Sequence, residues 1–186
     1  MQATSTFPFH FHFHFHVLDA DGLGDFIILH SEYNLVEEGM QSKDRYFILP
    51  NQSIEDIPID IQHLFICGFE KYREEKLILS TNIFNHLKSI TIGCSCFTNI
   101  REFVIDGLES LESVKIGEGC FRISFWNERN DGVCRITNCP NLHQLEISGG
   151  SFGNFKSFEL SNVNSIQSIN FGYRCFKFAD FSLKGE

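Results

Sequence analysis

Leu111-Glu112-Ser113-Val114-Lys115-Ile116-Gly117-Glu118-Gly119-Cys120-Phe121 decides the fold, because the stretch recurs along the chain. Upstream it reads Leu87-Lys-Ser-Ile90-Thr-Ile92-Gly93-Cys-Ser-Cys96-Phe97. Downstream it returns as Leu142-His-Gln-Leu145-Glu-Ile147-Ser-Gly-Gly-Ser151-Phe152, and then as Ile166-Gln-Ser-Ile169-Asn-Phe171-Gly172-Tyr-Arg-Cys175-Phe176. Starts at 87, 111, 142 and 166 give spacings of 24, 31 and 24 residues. A shorter motif runs between the copies: Phe103-Val-Ile105, Cys134-Arg-Ile136, Phe158-Glu-Leu160 and Phe181-Ser-Leu183. The longer spacing holds an insertion within Arg122 to Gly132, between the two motifs, where a surface loop lengthens at little entropic cost. An earlier unit, Ile61-Gln-His-Leu64-Phe-Ile66 followed by Leu77-Ile-Leu79, fits the same pattern.

Within each motif apolar residues alternate with polar ones, the period-two signature of a short strand with one buried face. A half unit is too short to close a coil, whereas the whole unit falls in the roughly 20–29-residue range of leucine-rich repeats. The expected fold is therefore a β-rich solenoid of the leucine-rich-repeat type. It has parallel strands and about five coils of about 24 residues, each with two short strands on opposite sides. Glycine after the first strand is expected to permit the turn. The Phe after the small Cys or Ser is expected to fold inward, stacking Phe97, Phe121, Phe152 and Phe176 into a ladder.

These runs, with the Asn138-Cys139-Pro140-Asn141-Leu142 turn, resemble the BspA-like class of leucine-rich repeats. The resemblance covers about residues 61–186 and implies a surface, adhesion or protein-binding role, while saying little about activity. The sequence departs from that class in two respects: the shorter motif reads as a strand of its own, and no exported context is visible, which counts against a cell-surface role.

The rest of the chain divides into a low-complexity Phe/His tail over 1–18 and an N-terminal capping segment over 19–60, ahead of the solenoid over 61–186. The capping segment carries the strand-like runs Phe26 to Leu29 and Tyr46 to Leu49. No comparable cap follows the last repeat, so the expectation is either end-to-end association through that coil or a chain that is part of a longer array.

Composition removes several function classes. Lys and Arg number 15 against 24 Asp and Glu, a net charge of -9 that repels phosphate backbones and anionic membranes. No apolar run approaches the roughly 20 residues needed to span a bilayer. No Lys or Arg precedes Lys43, which argues against a secretory signal, and the seven cysteines then read as thiols of a reducing, cytoplasmic compartment. The aromatic residues are 21 Phe, four Tyr and one Trp, a mix suited to filling a core.

Three motifs invite chemistry. Gly149-Gly150-Ser151-Phe152-Gly153 matches the hydrolase elbow, yet Ser151 aligns with Cys96, Cys120 and Cys175, a small-residue packing position, and no His follows it. The cysteines lack zinc-site spacing and read as small hydrophobes. In an extended tract His10, His12, His14 and His16 share one face about 7 Å apart. They are the metal candidates, although one ion cannot take adjacent imidazoles of a rigid strand. No cofactor is implied.

The leading expectation is a non-enzymatic interaction module. Residues between the buried positions of the first motif face outward: Ser89 and Thr91, Ser113 and Lys115, Gln144 and Glu146, Ser168 and Asn170. This polar, sparsely charged set is the expected contact face for a protein or glycan partner. The alternatives are metal binding through the His tract and a hydrolase built on Ser151.

Overall fold

The computed structural model describes residues 45–48, 57–66, 75–81, 84–122 and 131–184. The chain divides into two units, Met1–Gly39 and Met40–Glu186, and all described residues belong to the second. Those residues form a parallel β-solenoid of about four turns, near 24 residues per turn, with no helix.

From β2 on, the strands alternate between two sheets. One sheet holds β1 (Arg45–Ile48), β2 (His63–Ile66), β4 (Ser89–Ile92), β6 (Ser113–Ile116), β8 (Gln144–Ile147) and β10 (Ser168–Phe171), in that spatial order. The other holds β3 (Lys76–Ser80), β5 (Glu102–Asp106), β7 (Gly132–Thr137), β9 (Phe155–Ser161) and β11 (Asp180–Lys184). Each strand from β2 on is one motif of the sequence repeat, and its alternation sets its register. Leu64, Ile90, Val114, Leu145 and Ile169 align across the first sheet. Leu77, Phe103, Cys134, Phe158 and Phe181 align across the second. A slip of one residue would turn each buried aliphatic to solvent, so this pairing is strongly specified. β1 extends the first sheet by one more parallel strand, Arg45 against His63.

The two corners of each coil differ. At the first, Gly117 follows β6 and lies against Gly93 of the coil before, where an added Cβ would stand 2.7 Å from the Gly93 carbonyl carbon. Gly172 meets Gly149 in the same way, at 2.4 Å. The expectation that these glycines permit the turn is thus corrected: they permit close approach of neighbouring coils. The left-handed backbone sits further on, at Ser95, Gly119, Gly150 and Arg174, and again at each ladder phenylalanine.

Phe97, Phe121, Phe152 and Phe176 have φ of 61°, 55°, 56° and 48°. Bulky side chains rarely adopt that region, at a cost of roughly 1–2 kcal/mol each. The cost is borne because the turn aims every ring into the core. Phe121 stacks on Phe152 at 4.5 Å and Phe152 on Phe176 at 4.6 Å, with nearly parallel rings. Backbone bonds fix the same turns to the preceding coil, Phe121 N–H to the Cys96 carbonyl and Phe152 N–H to the Cys120 carbonyl.

At the second corner Gly107, Asn138 and Asn162 take the left-handed position. Asn162 donates to the Asn138 amide oxygen at 2.8 Å, and Asn138 donates to Asp106 at 2.8 Å, so the side chains form a chain along the solenoid. Leu108, Cys139 and Val163 follow in matching places and point inward, which makes Cys139 a core residue. Gly132 opens β7 because Phe155 of the next coil lies over it; a Cβ there would come 2.8 Å from that ring.

Candidate functional site

Alternation leaves two rows of side chains on the outer surface of the six-stranded sheet. Ser89, Ser113, Gln144 and Ser168 form one row, and Thr91, Lys115, Glu146 and Asn170 the other, each aligned residue against residue. Lys115 and Asn170 are exposed and the other six half-buried. Parallel pairing spaces them about 4.8 Å apart along the axis. The rows continue onto β2 with His63 and Phe65, where His63 Nδ1 lies 2.8 Å from Ser89 Oγ. These two were missed in the sequence reading, although the alternation in the Ile61 to Ile66 unit already placed them outward.

What these rows offer chemically is a ladder of hydroxyl, amide and opposite-charge groups on a rigid support. Lys115 stands directly across from Glu146. Such a face can exchange hydrogen bonds with a partner's backbone or hydroxyls without first ordering itself, which lowers the cost of binding.

The outer surface of the second sheet is ionic instead. Lys76 bridges Glu102 at 2.7 Å, Arg135 bridges Glu102 at 3.1 Å, and Lys184 bridges Glu159 at 3.5 Å. The hydrogen bond from Lys76 holds the Glu102 carboxyl below its usual range, against a partial desolvation cost. Arg101 also pairs with Asp131 beside this row.

Ser151 does not form the exposed elbow that a hydrolase requires. It is fully buried, and a turn leading into β9 follows it in place of a helix. Its hydroxyl donates to the Gly117 carbonyl at 2.9 Å and accepts from Cys120 N–H at 3.1 Å. Cys120 and Cys175 occupy the equivalent places, and their thiols likewise donate to carbonyls of the preceding coil, Gly93 at 2.8 Å and Ser148 at 2.9 Å. The column stitches coil to coil.

Cys94, Cys96, Cys120, Cys134, Cys139 and Cys175 are all free thiols. The contact with Cys96, together with burial, raises the Cys120 pKa, and burial alone raises that of Cys134. Cys139 is pushed up to about 11, mainly by burial. A thiol held protonated is a poor nucleophile and a poor metal ligand. Among the described residues no group of three or more His, Cys, Asp or Glu is placed to hold a metal ion. His10, His12, His14 and His16 lie outside the described residues. Among the described residues no helix is long and apolar enough to cross a membrane.

No protein-family model, no curated protein and no solved structure matches the chain.

Proposed function

We propose that the chain is a non-enzymatic interaction module, a leucine-rich-repeat-type solenoid of five coils related to the BspA-like class. Its partner is a protein segment that lies across the outward rows of the six-stranded sheet. The observation that carries the reading is the in-register repetition of Thr91, Lys115, Glu146 and Asn170 beside Ser89, Ser113, Gln144 and Ser168. A repeated polar ladder on a stiff sheet matches an extended ligand with its own regular repeat, which a polypeptide backbone supplies. The balanced charge of the rows favours a neutral or mixed-charge segment over a polyanion. Five units enter the count because each strand of the second sheet follows one strand of the first, starting with β2 and β3.

The test is selection of binders from a displayed peptide library on the immobilised chain, with a glycan array run in parallel. Binders are then scored against Thr91→Arg and Asn170→Arg, with Ser157→Arg on the second sheet as the control. Peptide binding lost in the first two variants and kept in the control is expected. Binders that survive both first-sheet changes, or glycan binding alone, contradict the reading.

A further inference from the structure

The coil carrying β10 and β11 leaves its core positions open. Ile169 is 38% exposed and Phe171 37%, while their register partners Leu145 and Ile147 are at 0% and 1%. Phe181 is 51% and Leu183 65% exposed, against 0% and 3% for Phe158 and Leu160. The rings of Phe171, Phe176 and Phe181 gather there at 5.5 to 6.0 Å from one another. Both strands are also the last of their sheets, so each presents an unpaired hydrogen-bonding edge among the described residues.

We propose that a second copy of this chain covers that coil in a two-fold symmetric dimer. β11 pairs antiparallel with β11 of the second copy, centred on Ser182. The proposal is independent of the polar rows on the first sheet. A two-fold axis running from one sheet to the other through the open end reverses both strands onto their own copies. The free edges of β10 and β11 are then paired in one closed interface, whereas head-to-tail stacking leaves the β10 and β11 edges of the terminal copy open.

The sequence of β11 suits this self-pairing. It reads Asp180-Phe181-Ser182-Leu183-Lys184, acid, apolar, small, apolar, base. Antiparallel pairing about Ser182 sets Phe181 against Leu183 of the second copy on the inner face. On the outer face it sets Asp180 against Lys184 of the second copy, and it does both twice. The same sheet already alternates in charge from coil to coil through Lys76, Glu102, Arg135, Glu159 and Lys184, three of those steps being ion pairs. The next rung beyond Lys184 calls for an acid, and Asp180 of the second copy supplies it. Asp180 is exposed and has no ion-pair partner among the described residues. On the first sheet β10 carries no charge to oppose the pairing.

The experiment is sedimentation analysis of the chain and its charge variants from about 1 to 200 µM, since dimerisation follows mass action. The wild-type chain is expected at twice its 21.4 kDa mass. Asp180→Lys and Lys184→Asp each place like charges together twice and should weaken the dimer roughly tenfold or more. An equimolar mixture of the two variants should form a heterodimer, and the doubly exchanged chain should recover the homodimer. Far-UV circular dichroism matching wild type shows that the exposed substitutions leave the fold intact. A wild-type chain that stays monomeric throughout overturns the proposal, and this arm needs no variant to fold. So does a dimer indifferent to both charge changes, or one that the mixture fails to restore.

Discussion

Replacing Phe152 with Ala removes the central ring of the ladder. Phe152 is fully buried and touches Phe121 at 4.5 Å, Phe176 at 4.6 Å and Phe155 edge-on at 4.8 Å. Core Phe→Ala changes cost about 3–5 kcal/mol. Each lost ring pair adds roughly 0.5–1.5 kcal/mol to simple area burial, which places this site at the upper end of that range. Against a total stability of about 5–15 kcal/mol, the variant should be only marginally folded. Ile78 on the outer face of β3 is half exposed, so Ile78→Ala should cost about 1.5 kcal/mol or less. The backbone adds a second signature. At φ 56° Ala is strained and Gly is not, so Phe152→Gly should be no less stable than Phe152→Ala, the reverse of the usual order. Urea unfolding followed by circular dichroism measures all three. Equal costs for Phe152→Ala and Ile78→Ala, or Gly worse than Ala by a full kcal/mol, would refute the stacking argument.

Gly117→Ala sets a methyl against backbone atoms of Gly93 and should destabilise by about 1–3 kcal/mol. Gly153→Ala, with only ordinary contact at 3.9 Å, should be near neutral in the same urea titration. Asn138→Ala loses two amide hydrogen bonds and strains a φ of 54°, about 2–3 kcal/mol in all, while Asn138→Gly should recover roughly half of that in thermal melts. Native Cys120 and Cys134 should resist iodoacetamide at neutral pH, and react once the chain is unfolded, as read by mass spectrometry. Cys139 keeps its proton to about 11 when folded, whereas its ordinary value is 9.0. Above pH 9 the unfolded chain therefore binds fewer protons than the folded one, and stability should fall as pH rises from 9 to 11. Cys139→Val should lessen that fall.

The strands were legible because two periods coincide. Alternation within a motif fixes which side chains are buried, and recurrence of the motif fixes which coils are neighbours. Val114 could thus be placed against Leu145 across an insertion of unrelated sequence. Corner geometry was not legible, since no propensity places four phenylalanines in the left-handed region; only the packed interior over-rules that preference. The purpose of Gly117 and Gly172 was misread for a related reason: close approach depends on the coil alongside, and local sequence does not report it. The ionic ladder escaped notice because Arg135 joins Glu102 only when β5 and β7 lie side by side, although 33 residues separate the two in the chain. The outward rows were found by alternation alone. A partner was harder to read there, because polar residues at exposed strand positions also serve solubility.

Backbone NOEs across the insertion test the stacked-coil account most directly. In a uniformly labelled sample, contacts should link β6 to β8 in parallel, Val114 with Leu145 and Lys115 with Glu146, and then β8 to β10, Leu145 with Ile169. Contacts displaced by one residue, running antiparallel, or joining β6 directly to β10 would contradict it.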